Sequence, residues 1–102
     1  MDNPNAQKIP TGKYPLTGQK PNAVLYHSET NGIVTNYATY DSNGMIIKRV
    51  DMTGRMHNKI ETPHVLDYGR NYAPNGNIYP HPRRGKDAVR KPRPDELQYY
   101  KE

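Results

Sequence analysis

Cysteine, tryptophan and phenylalanine are all absent from this 102-residue chain, and each absence removes an option. Without Cys there is no disulfide and no thiolate metal site, although the redox compartment stays open. Without Trp and Phe, nine tyrosines carry the whole aromatic content. Each Tyr ring buries an apolar body while its hydroxyl requires a partner, so a thin core rimmed by bonded phenols is expected. A chain of this length buries only about two-thirds of its unfolded surface, which argues against a large enclosed substrate cavity. No apolar run approaches the roughly 18 residues that cross a bilayer, and no signal-peptide pattern is visible. The expectation is a soluble domain with no membrane partner, exported only as part of a larger carrier.

Acidic residues are also in short supply: ten against fifteen Lys and Arg, for a net charge of +5. Residues 1–51 carry five cations and four anions, and residues 52–102 carry ten and six. Between Pro80 and Pro94 stand Arg83, Arg84, Lys86, Arg90, Lys91 and Arg93, with Asp87 as the one anion. A solvated basic tail is the plain reading. The functional one is an arm for phosphate, because a guanidinium grips phosphate oxygens as a bidentate fork.

Residues 1–22 hold four Pro and two Gly without periodicity and read as an extended lead-in or linker, with Ile9, Tyr14 and Leu16 as its anchors. From 23 to 102 the chain reads as one domain. A strand over 23–29 closes at Asn31-Gly32, a two-residue hairpin signal. A second strand over 33–40 places Ile33, Thr35, Tyr37 and Thr39 on one face and Val34, Asn36, Ala38 and Tyr40 on the other. After the turn at Asp41–Gly44 a third strand over 45–52 places Ile46, Lys48, Val50 and Met52 together, opposite Met45, Ile47, Arg49 and Asp51. Lys48 or Arg49 is then expected near a working edge or cleft. Further short strands are expected at 64–68 and 77–79 across Asn75-Gly76, and a short helix start at Pro94-Asp95-Glu96. The fold class is α+β but mostly β: a small antiparallel sheet, a three-strand meander plus one or two further strands, with little helix.

Bases, cations and phenols gather just beyond the meander. Cleaving RNA without metal needs one group to deprotonate the 2′-hydroxyl, another to protonate the leaving oxygen, and a cation for the charge that develops. His57 and His64 suit the proton roles, since unperturbed imidazole titrates near pH 6.5. Lys48, Arg49 and Arg55 suit the charge, and Tyr68 suits orientation or proton donation. Arg70, Arg83, Arg84, Arg90 and Arg93 are candidate substrate contacts. Against each stands a plain alternative: an exposed His in a polar loop, edge charge at Lys48 and Arg49, a core Tyr68, a turn-bonding Asp51. His27 and His81 rank lower. No HxH, HExxH or Asp-rich loop is present, so no cofactor or metal is expected, although His57, Glu61 and His64 together are a conceivable ion site. P-loop and GxSxG signatures are absent.

The segments TNYATYDSNGMIIKRVDMTGRMH, ETPHVLDYGRN, PNGNIYP and RKPRPDEL resemble the C-terminal toxin domains of bacterial polymorphic toxin systems, and look most like the type 24 group of ribonuclease toxins. The resemblance covers about residues 18–97. It implies nuclease activity in a competitor cell, delivery on a secreted carrier, and a cognate immunity protein. Charge complementarity makes that partner acidic. The alternatives are a metal-dependent DNase toxin and a non-catalytic nucleic-acid-binding module that stacks bases on Tyr.

Overall fold

The computed structural model describes residues 3–11, 13–54, 60–83 and 88–100. Within them the chain forms seven strands: β1 (Ala6–Lys8), β2 (Val24–Ser28), β3 (Val34–Tyr40), β4 (Ile46–Asp51), β5 (His64–Tyr72), β6 (Ile78–Pro82) and β7 (Val89–Arg90). They build one sheet in the order β1-β2-β3-β4-β5-β6, with β7 also paired to β5. β1 joins β2 in parallel, and all the other pairings are antiparallel. The helical content among the described residues is one 3-10 turn, Pro94–Glu96. The mostly β class is as the sequence reads. The sheet has more strands than the meander and its two short additions, and β5 runs four residues past the expected Tyr68.

Three of the hairpins turn on the same Asn-Gly chemistry. Gly32, Gly44 and Gly76 donate to the carbonyls of Glu29, Asp41 and Ala73, while those residues donate to Ile33, Met45 and Asn77. Only the glycine in each turn takes positive φ, at +80°, +76° and +87°. This is a type I turn followed by a left-handed residue, not the two-residue turn expected at Asn31-Gly32.

Two bulges correct the expected alternation of faces. His27 pairs with Asn36 but Ser28 with Val34, so Thr35 is the extra residue. Thr39 pairs with Lys48 but Tyr40 with Ile46, so Ile47 is the extra residue and lies exposed. A bulge flips the phase of every side chain beyond it. Val34 accordingly packs with Val24, Tyr37, Val50 and Val65, and Ile46 packs with Ala23, Leu25, Ala38 and Tyr40. These are the two hydrophobic clusters, one on each face.

The lead-in after β1 lies over one of these faces. Ile9 and Tyr14 pack on the cluster that holds Ala38 and Tyr40. The Tyr40 hydroxyl donates to Pro15 O at 2.6 Å, and Ile46 N donates to Leu16 O at 2.9 Å. Gln19 and Gly44 approach so closely that a Cβ on Gly44 would stand 2.0 Å from Gln19 O. The opposite face is closed by the C-terminal segment. Tyr99 meets Tyr37 edge-on at 5.5 Å, and Val34 N donates to Tyr100 O. Burial of the Tyr40 phenol pushes its pKa up to about 12.

Candidate functional site

Residues opposite each other on neighbouring strands share a face. One cross-strand row is His27–Asn36–Asp51–His64, and beside it on the same face runs Leu25–Ala38–Arg49–Leu66–Val89. Lys48 alternates to the other face, in the row Val24–Thr39–Lys48–Asp67. β4 is an inner strand, so Lys48 and Arg49 are not edge charges.

The polar row is knitted together by contacts that end on Arg49. Asp51 accepts from Arg49 Nε at 2.7 Å with one oxygen and from His64 Nε2 at 2.9 Å with the other. His64 Nδ1 lies 3.2 Å from Ile60 O. Both partners are acceptors, so a ring that donates from both nitrogens satisfies the geometry. At 1% exposure, His64 has no open path to solvent. The Arg49 guanidinium stands 5.5 Å over the Tyr14 ring, and the Tyr14 hydroxyl donates to Asn36 Oδ1. Burial raises the Tyr14 phenol above its ordinary pKa, only partly offset by the Arg49 charge, so it serves as a donor at neutral pH. Among the described residues, the terminal nitrogens of Arg49 make no hydrogen bond, and its side chain is 33% exposed. His27 Nδ1 lies 3.1 Å from Ile9 O. With Nδ1 donating to that carbonyl, Nε2 keeps its lone pair and is the basic nitrogen.

On the other face a second charged cluster converges on one carboxylate. Glu96, fully buried, accepts from Lys48 Nζ, Arg90 NH1, Arg90 NH2 and the Arg93 backbone N–H, each at 2.8 Å. The bond to Arg93 N closes the 3-10 turn in the manner of a capping box. Arg93 NH2 stands 3.4 Å away, and Arg90 also holds Asp67 at 2.6 Å. The Arg90 guanidinium holds the Glu96 carboxyl well below the usual range against the opposing effect of burial, with Arg93 N–H and Lys48 adding to it. The carboxylates in turn hold Arg90 well above its ordinary value. The Tyr37 hydroxyl donates to Glu96 O at 2.5 Å.

Of the sequence-selected residues, His64 and Arg49 therefore meet through Asp51. Lys48, Arg90 and Arg93 meet on Glu96, behind the sheet. Arg70 donates to Asp41 at 3.0 Å and ties the β5–β6 hairpin to the β3–β4 turn. Burial opposes the shift, but the turn N–H of Met45, then this guanidinium and the N–H of Asn43, lower the Asp41 pKa. Tyr68 packs half-buried against the Ala38 cluster. Arg83 is exposed after β6. His57, Arg55 and Arg84 lie outside the described residues. The sequence reads Tyr14 as an anchor, Asn36 as a strand-face residue, Asp51 as turn-bonding and Glu96 as a helix-start acid, ranks His27 low, and names none of them as a site residue. The register of β3 against β4 is the signal that places Asn36 beside Asp51. Among the described residues no three His, Asp or Glu groups are placed to hold one metal ion.

The bacterial toxin 24 family model matches residues 3–97 of the chain. The chain belongs to that family. The matched span takes in residues 3–22 of the lead-in and ends one residue beyond Glu96, so the Arg49 and Glu96 clusters both fall within the toxin domain. No curated protein and no solved structure matches the chain.

Proposed function

We propose that this toxin domain is a nuclease that cleaves RNA by metal-independent general acid–base chemistry, with its site on the Arg49 face of the sheet. The observation that carries this reading is the Arg49 guanidinium, anchored through Nε to Asp51, whose terminal nitrogens make no hydrogen bond among the described residues. That is the arrangement a phosphodiester needs: a fixed fork facing the non-bridging oxygens where charge develops. His27 Nε2 supplies a basic nitrogen on the same face, and Tyr14 a hydroxyl donor. The buried His64–Asp51 pair positions Arg49 and does not shuttle protons with solvent. His27 and His64 are three inter-strand steps apart, about 14 Å along the row, too far to flank one phosphate. His57 is the remaining imidazole for the second proton role, an assignment that rests on sequence alone. Lys48, Arg90 and Arg93 support the fold through Glu96, while the exposed Arg83 is suited to backbone contacts.

In this reading the domain reaches a competitor's cytoplasm on a larger secreted carrier. The producing cell protects itself with an acidic immunity protein whose carboxylates occupy the Arg49 fork. The test is incubation of the purified domain with RNA and with DNA, each with and without EDTA. RNA cleavage that survives EDTA is expected, and Arg49→Lys, which keeps charge but loses the fork, is expected to lower the rate at least about tenfold. Cleavage of DNA alone, or full loss of activity in EDTA, would falsify the scheme, because DNA has no 2′-hydroxyl to attack.

A further inference from the structure

A cleft of about 540 Å³ opens at the start of β5, where the segment leading into His64 meets the segment leaving β7. Its walls are Ile60, Pro63, Pro92 and Leu97, and two charged residues line it, Glu61 and Lys91. The volume falls within the ordinary range for small-molecule sites. Ile60 joins the cleft to the polar row directly, since its carbonyl faces His64 Nδ1. Flat apolar walls, among them two proline rings, suit a planar ring system.

Both charged groups are exposed. Among the described residues, neither the Glu61 carboxylate nor the Lys91 ammonium has a side-chain partner. One is an acceptor only and the other a donor only. Every base offers a donor and an acceptor, but guanine alone presents two adjacent donors, N1–H and N2–H₂, that one carboxylate can take together, with O6 and N7 acceptors beside them. Adenine offers an acceptor where guanine offers N1–H, and the pyrimidines lack the paired donors.

We propose that this cleft is a nucleobase subsite that selects guanine, with Glu61 accepting from N1–H and N2–H₂ and Lys91 donating to O6 or N7. The proposal rests on the ribonuclease reading for its substrate class, and its test does not depend on cleavage. The whole domain is titrated with guanosine 3′-monophosphate and with adenosine 3′-monophosphate, followed by NMR or calorimetry, and the RNA fragments from a cleavage reaction are sequenced. Guanosine nucleotide is expected to bind about tenfold more tightly or better. Glu61→Gln is expected to abolish that preference, and Lys91→Ala to weaken guanosine binding with an unchanged circular dichroism spectrum. Equal binding of the two nucleotides, or a preference that survives in Glu61→Gln, overturns the guanine subsite even if RNA is cleaved. Selective guanosine binding by a domain that cleaves no RNA upholds the subsite and overturns the catalytic reading instead.

Discussion

Replacing Glu96 by Gln preserves shape and removes the one charge on which Lys48, Arg90 and the Arg93 backbone converge. The Gln amide also turns one of two acceptor atoms into a donor that faces N–H groups, so at least one bond becomes a clash of donors. Breaking a buried ion pair by removing one partner costs about 3–5 kcal/mol, because the surviving charges stay desolvated. A domain of this size holds about 5–15 kcal/mol in all. The loss should therefore be a large share of its stability, with Tm falling by roughly 12 °C or more. Urea denaturation followed by circular dichroism reads it as a lower midpoint with unchanged slope. The pH dependence adds an independent check. Arg90 first, then the Arg93 N–H and Lys48, holds the folded Glu96 pKa below its unfolded value. A depressed carboxyl contributes stability that is complete above the unfolded pKa, about 4.3, and is lost as pH falls below it. Wild type should thus lose stability steadily below about pH 5, and Glu96→Gln should lose much less over the same interval. A cost under about 1 kcal/mol, or an acid profile identical to wild type, would refute the claim that this carboxylate secures the C-terminal segment.

Gly44→Ala should destabilise by more than about 2 kcal/mol in the same urea assay, because φ is +76° and the new Cβ would lie 2.0 Å from Gln19 O. Gly76→Ala, at similar φ but in open space, should cost less. Tyr37→Phe leaves the Glu96 carbonyl without its buried donor and should cost about 1–3 kcal/mol while the edge-on contact with Tyr99 persists. Asp51→Asn keeps size but replaces one acceptor between Arg49 and His64 with a donor. RNA cleavage by that variant is expected to fall about 100-fold or more, and wild-type activity would remove Asp51 from the site.

The turns were legible because Asn-Gly carries its own backbone chemistry, and three such dipeptides mark three of the hairpins. The bulges were not. Nothing in Thr35 or Ile47 as residue types announces an inserted position, since both are ordinary strand formers. The phase error they introduce moved Val34 and Ile46 to the wrong faces on paper. The site suffered from the same limit. Residues near one another in sequence, such as Lys48 and Arg49, look like one cluster, yet alternation sends them to opposite faces and to different partners. Glu96 was readable as a helix-start acid but not as a buried counter-ion, because its partners are Lys48, far away in sequence, and Arg90, across the turn. His64 was selected for its imidazole. What the fold provides is an imidazole closed off between a carboxylate and a carbonyl.

The lead-in links fold and chemistry most closely. Its Pro-rich composition suggests a spacer, yet Tyr14 comes from it, and Ile9 supplies the carbonyl that fixes the His27 ring. Pro15 and Leu16 use backbone carbonyls to bind Tyr40 and Ile46 on the same face. Proline suits such a segment because an extended chain laid across a sheet has its carbonyls free to accept while losing few N–H donors. A ribonuclease site on this face would therefore be assembled from two sources, a rigid row of strand residues and a strap laid over it. The opposite face needs no strap, because Glu96 draws the C-terminal segment down by charge. Each face is closed by a segment from one side of the sheet in the sequence; both closures use hydrogen bonds to backbone, and the opposite face adds a buried carboxylate. Acid should accordingly loosen the Glu96 face first and leave the strap in place.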